Sequence, residues 1–302
     1  MYHQIAHNKR VSALVIAAFV VVWVVAGLIV GGILGRSWGG AISGAVILTF
    51  FALLGILFSY FFGAGTVLAV SGAQPADPQQ YAQLHNIVEA LAIGAGLPKP
   101  AVYVIDDPSP NAFATGLDPQ HAAVTATTGL LQMMNREELE GVIAHEMSHV
   151  RDYDVRLLLI CSTLVGMAAL IASFAFRGAF TVRGGRDSGQ LALFALALGV
   201  IFSLIAWIVG PLMQLALSRE RESLADAAGV ELTRNPAGLL GALRKLAAND
   251  QPLVKYNHAT AAMYIDNPLE HHEHWFNHLW DTHPPIQERI AALERISQVQ
   301  QT

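Results

Sequence analysis

His145-Glu146-Met147-Ser148-His149 lies near the middle of the chain and decides how the rest is interpreted. On a helix, two histidines four residues apart project from one face, so both rings can reach a single metal ion. The glutamate that follows the first histidine can then lie over a water bound to that metal. The spacing therefore predicts a zinc site, provided that the surrounding chain supplies a third ligand.

The composition indicates a membrane protein. The chain has 302 residues, of which 53% are hydrophobic and 14% are charged, whereas ordinary soluble domains carry about 25% charged residues. A formal charge of -5 is too small to indicate a nucleic acid or an acidic partner. Cys161 is the only cysteine and lies in an apolar run, which excludes a disulfide framework and a thiolate metal cluster.

Four uncharged stretches are long enough to cross a bilayer, which takes about 20 residues. They are residues 11–35, most of 37–70, 157–176, and an interval within 188–218. The first is too long for a cleaved signal peptide and is followed almost at once by the second, so we expect a retained anchor. We therefore expect an α+β membrane protein that is mainly helical, with up to four transmembrane helices.

The distribution of lysine and arginine favours one orientation. A cytoplasmic N-terminus places the larger group of cations on that side, namely Lys9, Arg10, Arg151, Arg156, Arg219 and Arg221. The outward group is Arg36, Arg177, Arg183 and Arg186, and its last three members oppose this orientation. Whether the last two apolar stretches fully span the bilayer is left open.

A small antiparallel sheet is expected between the second and third apolar stretches. Residues 101–105, 111–116 and 122–127 have strand-like patterns, and the turn-rich residues 117–120 separate the last two. We expect the strand at 122–127 to be an exposed edge. Such an edge can bind an extended peptide by backbone pairing.

The helix that carries the HExxH sequence has a clear predicted start. Asn135 is a natural N-cap, and Glu138 lies at the third helical position of a capping box. Further helices are expected at residues 78–96, 220–232 and 285–296.

A third metal ligand is available in residues 218–226. Glu222 and Asp226 are four residues apart and share a helical face. Glu222 can therefore complete the site while Asp226 accepts the remaining ring N–H of a ligand histidine. The apolar hairpin between the HExxH helix and Glu222 would return the chain to the same membrane face. The alternative is that these charges form a solvated face beside the membrane.

Four motifs carry a resemblance to a known family. They are HEMSH at 145–149, SRERESLAD at 218–226, NAFATG at 111–116 and THPP at 282–285. Taken in their order along the chain, from residue 111 to residue 285, they resemble the HtpX-type membrane zinc metalloproteases, relatives of the CAAX prenyl proteases, over nearly the whole chain. One departure is that Ser223 stands where relatives often have an aromatic residue, which leaves the ligand assignment intact.

The resemblance implies a domain organisation and a set of metal ligands. An N-terminal anchor with two spans would occupy 1–72, and a gluzincin-type metallopeptidase domain would occupy 73–302, interrupted by a hydrophobic hairpin at about 157–218. His145, His149 and Glu222 would bind one Zn²⁺ per chain, and Glu146 would be the general base.

The remaining assignments concern the substrate. His283 is the expected donor to the tetrahedral oxyanion, with Arg289 as a helper or orienter. Arg289 and Asn111 are assigned to substrate binding, and Asn111 would line the cleft beside the strand at 122–127. Asp152 and Asp154 could orient a ligand histidine, but a polar helix end explains them equally well.

A cluster of histidines near the C-terminus allows several interpretations. A second metal site, a regulatory switch or a solvated loop would each explain His271, His272, His274 and His278.

The resemblance implies that the protein hydrolyses misfolded or surplus membrane proteins at the cytoplasmic face of a bacterial plasma or inner membrane. The partners are then the membrane and unfolded or membrane-protein polypeptides, with no nucleic acid. A homo-oligomer and an association with other membrane proteases are left open. The alternatives are an intramembrane protease and a non-catalytic scaffold or chaperone. Arg151, Asp152 and Asp154 are too polar for the first, and the intact Glu146 argues against the second.

Overall fold

Most of the described residues lie in α-helices. The computed structural model describes residues 2–181, 188–216, 219–249, 264–265 and 285–300. The helices are α1 (Tyr2–Gly35), α2 (Trp38–Val70), α3 (Ala82–Ala95), α4 (Thr128–Met133), α5 (Arg136–Arg151), α6 (Asp154–Thr181), α7 (Ser188–Ala216), α8 (Arg219–Thr233), α9 (Pro236–Ala247) and α10 (Ile286–Gln300). The strands are β1 (Gln74–Pro75), β2 (Ala101–Ile105), β3 (Ala112–Gly116) and β4 (Ala122–Thr127).

The chain divides into two compact units. The first contains Met1–Lys9, Gly63–Leu159 and Met213–Thr302, and the second contains Arg10–Phe62 and Ile160–Leu212. The HExxH helix and the sheet belong to the first unit. The greater part of each of the apolar helices α1, α2, α6 and α7 belongs to the second unit. The predicted boundary between residues 72 and 73 stays a prediction.

Three of the described helices are long and apolar enough to cross a membrane. Their apolar parts are Ala6–Ile33, Trp38–Val70 and Asp154–Thr181, and α7 contains a shorter apolar stretch, Ala192–Leu204. Large apolar side chains such as Phe50 and Phe61 are more than half exposed on α2, as expected of a surface that faces lipid rather than water. The chain is a mainly helical membrane protein, as predicted.

Glycines form the contact between α1 and α2 in the second unit. A Cβ on Gly31 would overlap the carbonyl oxygen of Gly40 and lie 2.8 Å from Gly44 Cα. One on Gly44 would overlap the carbonyl oxygen of Gly27 and lie 2.7 Å from Gly31 Cα. No side chain fits at these positions without moving a backbone. In a bilayer, where lipid is as apolar as leucine, such close approach is a main source of helix association.

The sheet of the first unit has the order β1-β2-β4-β3 and is mixed. β1–β2 and β3–β4 are antiparallel, but β2 and β4 are parallel, with Ala101 opposite Ala123. The expectation of a wholly antiparallel sheet is therefore wrong for this pair. The physical reason is that the connection at 106–111 carries the chain past the place of β4 to the far edge, from which the hairpin returns.

The position of β4 also corrects a prediction. The sequence predicts an exposed edge at 122–127, but β4 lies between β2 and β3 and all six of its residues are buried. The connection before β3 is fastened to the end of β4: Thr127 Oγ1 accepts a hydrogen bond from the Asn111 amide at 2.8 Å and donates one to the Ser109 carbonyl at 2.6 Å. With a partner strand on each side, β4 is unavailable as an edge.

The start of α5 agrees with the predicted capping box. Asn135 Oδ1 accepts a hydrogen bond from the Glu138 amide at 2.9 Å, and Glu138 Oε2 accepts one from the Asn135 amide at 2.8 Å. α5 is buried along almost its whole length from Leu139 to Val150. It packs against α8 and α9, so it is the central helix of the first unit.

Candidate metal centre

α5 presents both motif histidines to the interior. His145 and His149 are 0% and 5% exposed, and their rings meet at an interplanar angle of 87°. Their Nε2 atoms are only 3.2 Å apart. Glu146, which follows His145 on the same helix, is 3% exposed. The helical spacing thus places two ring nitrogens at one point, as the sequence predicts.

α8 brings a carboxylate to the same point. Glu222 is fully buried, with Oε2 at 3.6 Å from His145 Nε2 and Oε1 at 3.5 Å from His149 Nε2. The close crossing of the two helices depends on Gly229, since a Cβ there would lie 3.1 Å from the backbone nitrogen of His145. A residue without a side chain therefore stands where α8 passes the first histidine.

Each histidine has a carboxylate partner on its other ring nitrogen. His145 Nδ1 lies 2.9 Å from Asp226 Oδ1, and His149 Nδ1 lies 3.1 Å from Asp154 Oδ2. A carboxylate can only accept, so both Nδ1 atoms carry the ring hydrogen. In the neutral rings, both Nε2 lone pairs then face each other and the Glu222 oxygens. This arrangement of three acceptors favours a cation between them.

The separations of the three groups fit a tetrahedral metal. Ligand atoms about 2.0 to 2.2 Å from a tetrahedral ion lie about 3.3 to 3.6 Å from one another. The observed separations are 3.2, 3.5 and 3.6 Å. Two imidazoles and a carboxylate are also a common ligand set of catalytic zinc sites, with a fourth position left for water. These three residues therefore fit the metal that the motif predicts.

Asp226 is fixed from a third helix. Arg289 on α10 donates two hydrogen bonds to it, from Nε to Oδ2 at 3.0 Å and from one terminal nitrogen to Oδ1 at 2.7 Å. Burial would raise the pKa of Asp226, but the positive charge of Arg289 and the hydrogen bond with His145 lower it to about 2. Asp226 is therefore ionised at neutral pH and remains an acceptor for His145.

The second histidine is in a strongly negative environment. Burial alone would lower the pKa of His149, but the hydrogen bond with Asp154 and the charges of Glu222 and Glu146 outweigh it. Without a bound cation, the pKa of His149 is therefore raised to about 9. The negative potential that attracts this proton would also attract a divalent metal ion.

The other predicted site residues are distributed as follows. Arg289 is 4% exposed and lies against Asp226, which matches the orienting role more closely than substrate binding. Asn111 is 2% exposed and directly precedes β3, and its Oδ1 accepts a hydrogen bond from the Ala112 amide at 3.0 Å. Their substrate-binding roles stay predictions. His283 and the histidines of 271–278 lie outside the described residues.

Asp154 is the site residue that the sequence left unassigned. It follows α5 after a turn in which Tyr153 has a φ of 65°, and this left-handed residue turns the chain so that the Asp154 carboxylate points back toward His149. The available signal was an aspartate five residues after the second motif histidine. Spacing alone could not distinguish it from a solvated helix end.

A buried cluster of two histidines and a glutamate, in a chain that also has helices long enough to span a bilayer, is typical of a membrane-bound metallopeptidase. The chain belongs to peptidase family M48, whose family model matches residues 78–297.

Among curated relatives, it is 44% identical to "Protease HtpX homolog" of Lactobacillus helveticus (strain DPC 4571), covering 98% of this chain and 100% of that one. It is also 44% identical to the "Protease HtpX homolog" of Ligilactobacillus salivarius (strain UCC118), with the same coverage. The resemblance inferred from the four motifs is thereby confirmed.

A solved structure supports the fold. The chain is similar to the crystal structure of S. mikatae Ste24p, with a TM-score of 0.50 and 19% sequence identity. The similarity covers 82% of this chain and 58% of that one, so the present chain corresponds to little more than half of the larger protein. At this identity, the likeness concerns the fold alone.

Proposed function

We propose that this protein is a zinc endopeptidase that cleaves misfolded or surplus membrane proteins at the cytoplasmic face of a bacterial plasma or inner membrane. The observation that carries the proposal is the triangle formed by His145, His149 and Glu222. Its sides of 3.2, 3.5 and 3.6 Å suit a tetrahedral ion. The donor set of two imidazoles and one carboxylate favours zinc over magnesium or calcium.

Zinc held there would supply a Lewis acid that polarises the scissile carbonyl and lowers the pKa of a water to about 7. Among the residues of the chain, we assign the proton transfer to Glu146. Its carboxylate, next to His145 on α5, would accept a proton from the attacking water and deliver it to the nitrogen of the leaving amine. We assign His283 as a donor to the developing oxyanion, with Asn111 on the substrate side.

The carboxylates around the histidines have a positioning role. Asp226 holds the Nδ1 hydrogen of His145, and Asp154 holds that of His149. Each ring is therefore kept in the tautomer that leaves Nε2 free to ligate. Arg289 keeps Asp226 in place and ionised. These contacts reduce the freedom of the ligands before metal binds, which favours tight binding.

The cytoplasmic orientation is supported by the start of α1. Asn8 Nδ2 donates a hydrogen bond to the carbonyl oxygen of Asp152 at 2.8 Å. Asn8 precedes Lys9 and Arg10 at the beginning of the first apolar helix, and Asp152 follows directly on α5. The metal ligands of α5 therefore lie near the end of α1 that carries cations. Cations next to a span favour the cytoplasmic side.

Cleavage inside the bilayer is the main alternative, and the placement of the ligands argues against it. α5 and α8 carry the cluster, and both lie outside the three helices that are long and apolar enough to cross a membrane among the described residues. A substrate would therefore be cut at the membrane surface. An unfolded segment that projects from the membrane suits such a site.

The test compares the wild type with Glu146→Gln in detergent, measuring bound zinc and cleavage of an unfolded reporter protein. We expect one zinc per chain in both proteins and cleavage only by the wild type. Glu140→Gln, on the same helix but outside the cluster, is the matched control and should cleave normally. If the wild type binds no zinc, the proposal is wrong. If both bind zinc and neither cleaves reporters of several kinds, the non-catalytic scaffold is favoured.

A further inference from the structure

The start of α1 is linked to the candidate metal centre through a chain of hydrogen bonds. Asn8 on α1 is 0% exposed, although it lies between His7 and Lys9, which are both exposed. Its side-chain nitrogen donates one hydrogen bond to the Asp152 carbonyl at 2.8 Å and another to Asp154 Oδ1 at 2.6 Å. A carboxamide nitrogen carries two hydrogens, so both are used.

The acceptors of Asn8 lie on either side of an unusual residue. Asp152 ends α5, Asp154 begins α6, and Tyr153 between them has a φ of 65°. Non-glycine residues adopt this left-handed conformation at a cost, and surrounding contacts must hold it. Asn8 bridges the turn from one side to the other. It therefore stabilises the conformation that directs the Asp154 carboxylate back toward α5.

Asp154 passes this constraint to the metal ligand. Its Oδ1 accepts the hydrogen bond from Asn8, while its Oδ2 lies 3.1 Å from His149 Nδ1. The same carboxylate is approached by Arg221 of α8, whose terminal nitrogen lies 3.6 Å from Oδ1. Because contacts with α1 and α8 hold Oδ1 of Asp154, Oδ2 of the same carboxylate is directed toward the Nδ1 hydrogen of His149.

We infer that Asn8 is a positioning residue of the metal centre, through which the N-terminal segment of the membrane anchor sets the orientation of His149 by way of Asp154. The inference rests on the proposed function, because it concerns the affinity of the His145, His149 and Glu222 site for zinc. It adds a role for α1 that membrane anchoring does not require. Asn8 and Asp154 are 146 residues apart in sequence, so this role exists only in the folded chain.

The test measures zinc affinity by competition with a chelator, using the full-length protein in detergent. Asn8→Ala removes both donated hydrogen bonds, and we expect its zinc affinity to fall about 10- to 100-fold, the usual effect of losing a group that orients a ligand. His7→Ala changes the exposed neighbour on the same helix and should bind zinc as the wild type does. Equal affinity of Asn8→Ala and the wild type would overturn the inference.

A spectroscopic measurement separates positioning from a general loss of stability. With Co²⁺ in place of zinc, the visible absorption bands report the geometry of the ligands. Asn8→Ala and Asp154→Asn should change these bands in the same way, and the double variant should add little to either. Strictly additive effects, or unchanged bands in Asn8→Ala, would contradict the inference.

Two further results would distinguish a failure of the inference about Asn8 from a failure to fold or a failure of the proposed function. If Asn8→Ala does not fold, Asn8→Ser is used instead, since its hydroxyl is too short to bridge both acceptors. A lower zinc affinity and changed Co²⁺ bands in this variant would support the inference, and wild-type values would overturn it. If the wild type itself binds neither zinc nor Co²⁺, the proposed function fails. If the wild type binds one ion and both Asn8 variants bind it equally well, only the inference about Asn8 fails.

Discussion

Arg289 and Asp226 form a buried, two-point ion pair between α10 and α8, with hydrogen bonds of 3.0 and 2.7 Å. Both side chains are at most 5% exposed. Asp226 in turn holds His145, so a residue of the last described helix stabilises a predicted metal ligand of the HExxH helix. The pair therefore serves both the packing of α10 and the geometry of the centre.

Arg289→Gln should be strongly destabilising, because it leaves the Asp226 carboxylate buried without its counter-charge. Breaking a buried pair in this way costs about 3–5 kcal/mol. We expect a clear fall in the thermal unfolding temperature of the metal-free protein in detergent.

The matched control for this variant is Arg244→Gln. Arg244 pairs with Glu294 at 2.7 Å, but the two side chains are 56% and 43% exposed. Exposed pairs contribute about 0–1 kcal/mol, so this variant should melt close to the wild type. Equal effects of the two substitutions would show that burial of the Asp226 pair does not matter.

Glu222→Gln should lose zinc while keeping the fold. The amide has nearly the shape of the carboxylate but no negative charge, and it is a weak metal ligand. We expect a zinc content well below one per chain after dialysis, measured by elemental analysis, with a circular dichroism spectrum like that of the wild type. Stoichiometric zinc in this variant would contradict the assignment of the third ligand.

Zinc binding should depend on pH through His149. The pKa of this residue is about 9 without a bound cation, so at neutral pH the metal must displace a proton. The apparent zinc affinity should therefore rise by about tenfold per pH unit as the pH increases toward about 9. Titration calorimetry in buffers with different ionisation enthalpies measures the released proton directly.

Asp154→Asn provides the comparison. Asp154 raises the pKa of His149 by its hydrogen bond and its charge, so its removal should lower that pKa. The rise in affinity with pH should then level off at a lower pH than in the wild type. A zinc affinity that does not change with pH in the wild type would exclude a protonated His149 in the metal-free protein.

Gly44→Ala should separate α1 from α2. The added Cβ would overlap the carbonyl oxygen of Gly27 and lie 2.7 Å from Gly31 Cα, and these atoms belong to backbone that cannot rotate away. We expect a lower thermal unfolding temperature in detergent. Gly65→Ala is the control on the same helix, since nothing lies within 4 Å of its added Cβ. It should be neutral or stabilising, because alanine favours a helix over glycine by about 1 kcal/mol.

The features that the sequence predicted correctly depend on contacts that are close in sequence. The capping box of Asn135 and Glu138 spans one helical turn, and the pair of motif histidines spans one turn of the same helix. Helical spacing fixes such contacts wherever the helix lies in the fold. The proximity of Glu222 followed from a different argument, the return of the chain after an apolar hairpin.

The features that the sequence left open or did not predict depend on backbone turns and on tertiary packing. The orientation of Asp154 follows from the left-handed conformation of Tyr153, which no pattern of side chains indicates. The parallel pairing of β2 and β4 depends on where the connection at 106–111 crosses, and strand patterns alone do not determine that order. The contact of Arg289 with Asp226 requires α10 to pack beside α8.

The residues of the candidate metal centre lie on α5, α8 and α10, so the ribosome synthesises them at different times. The two histidines leave the ribosome on α5, but Glu222 follows only after the apolar helices α6 and α7, and Arg289 follows later still. A nascent chain therefore cannot complete its candidate metal centre before α6 and α7 have been synthesised. Under the proposed function, peptide hydrolysis therefore cannot begin until α6, α7 and α8 have all been synthesised.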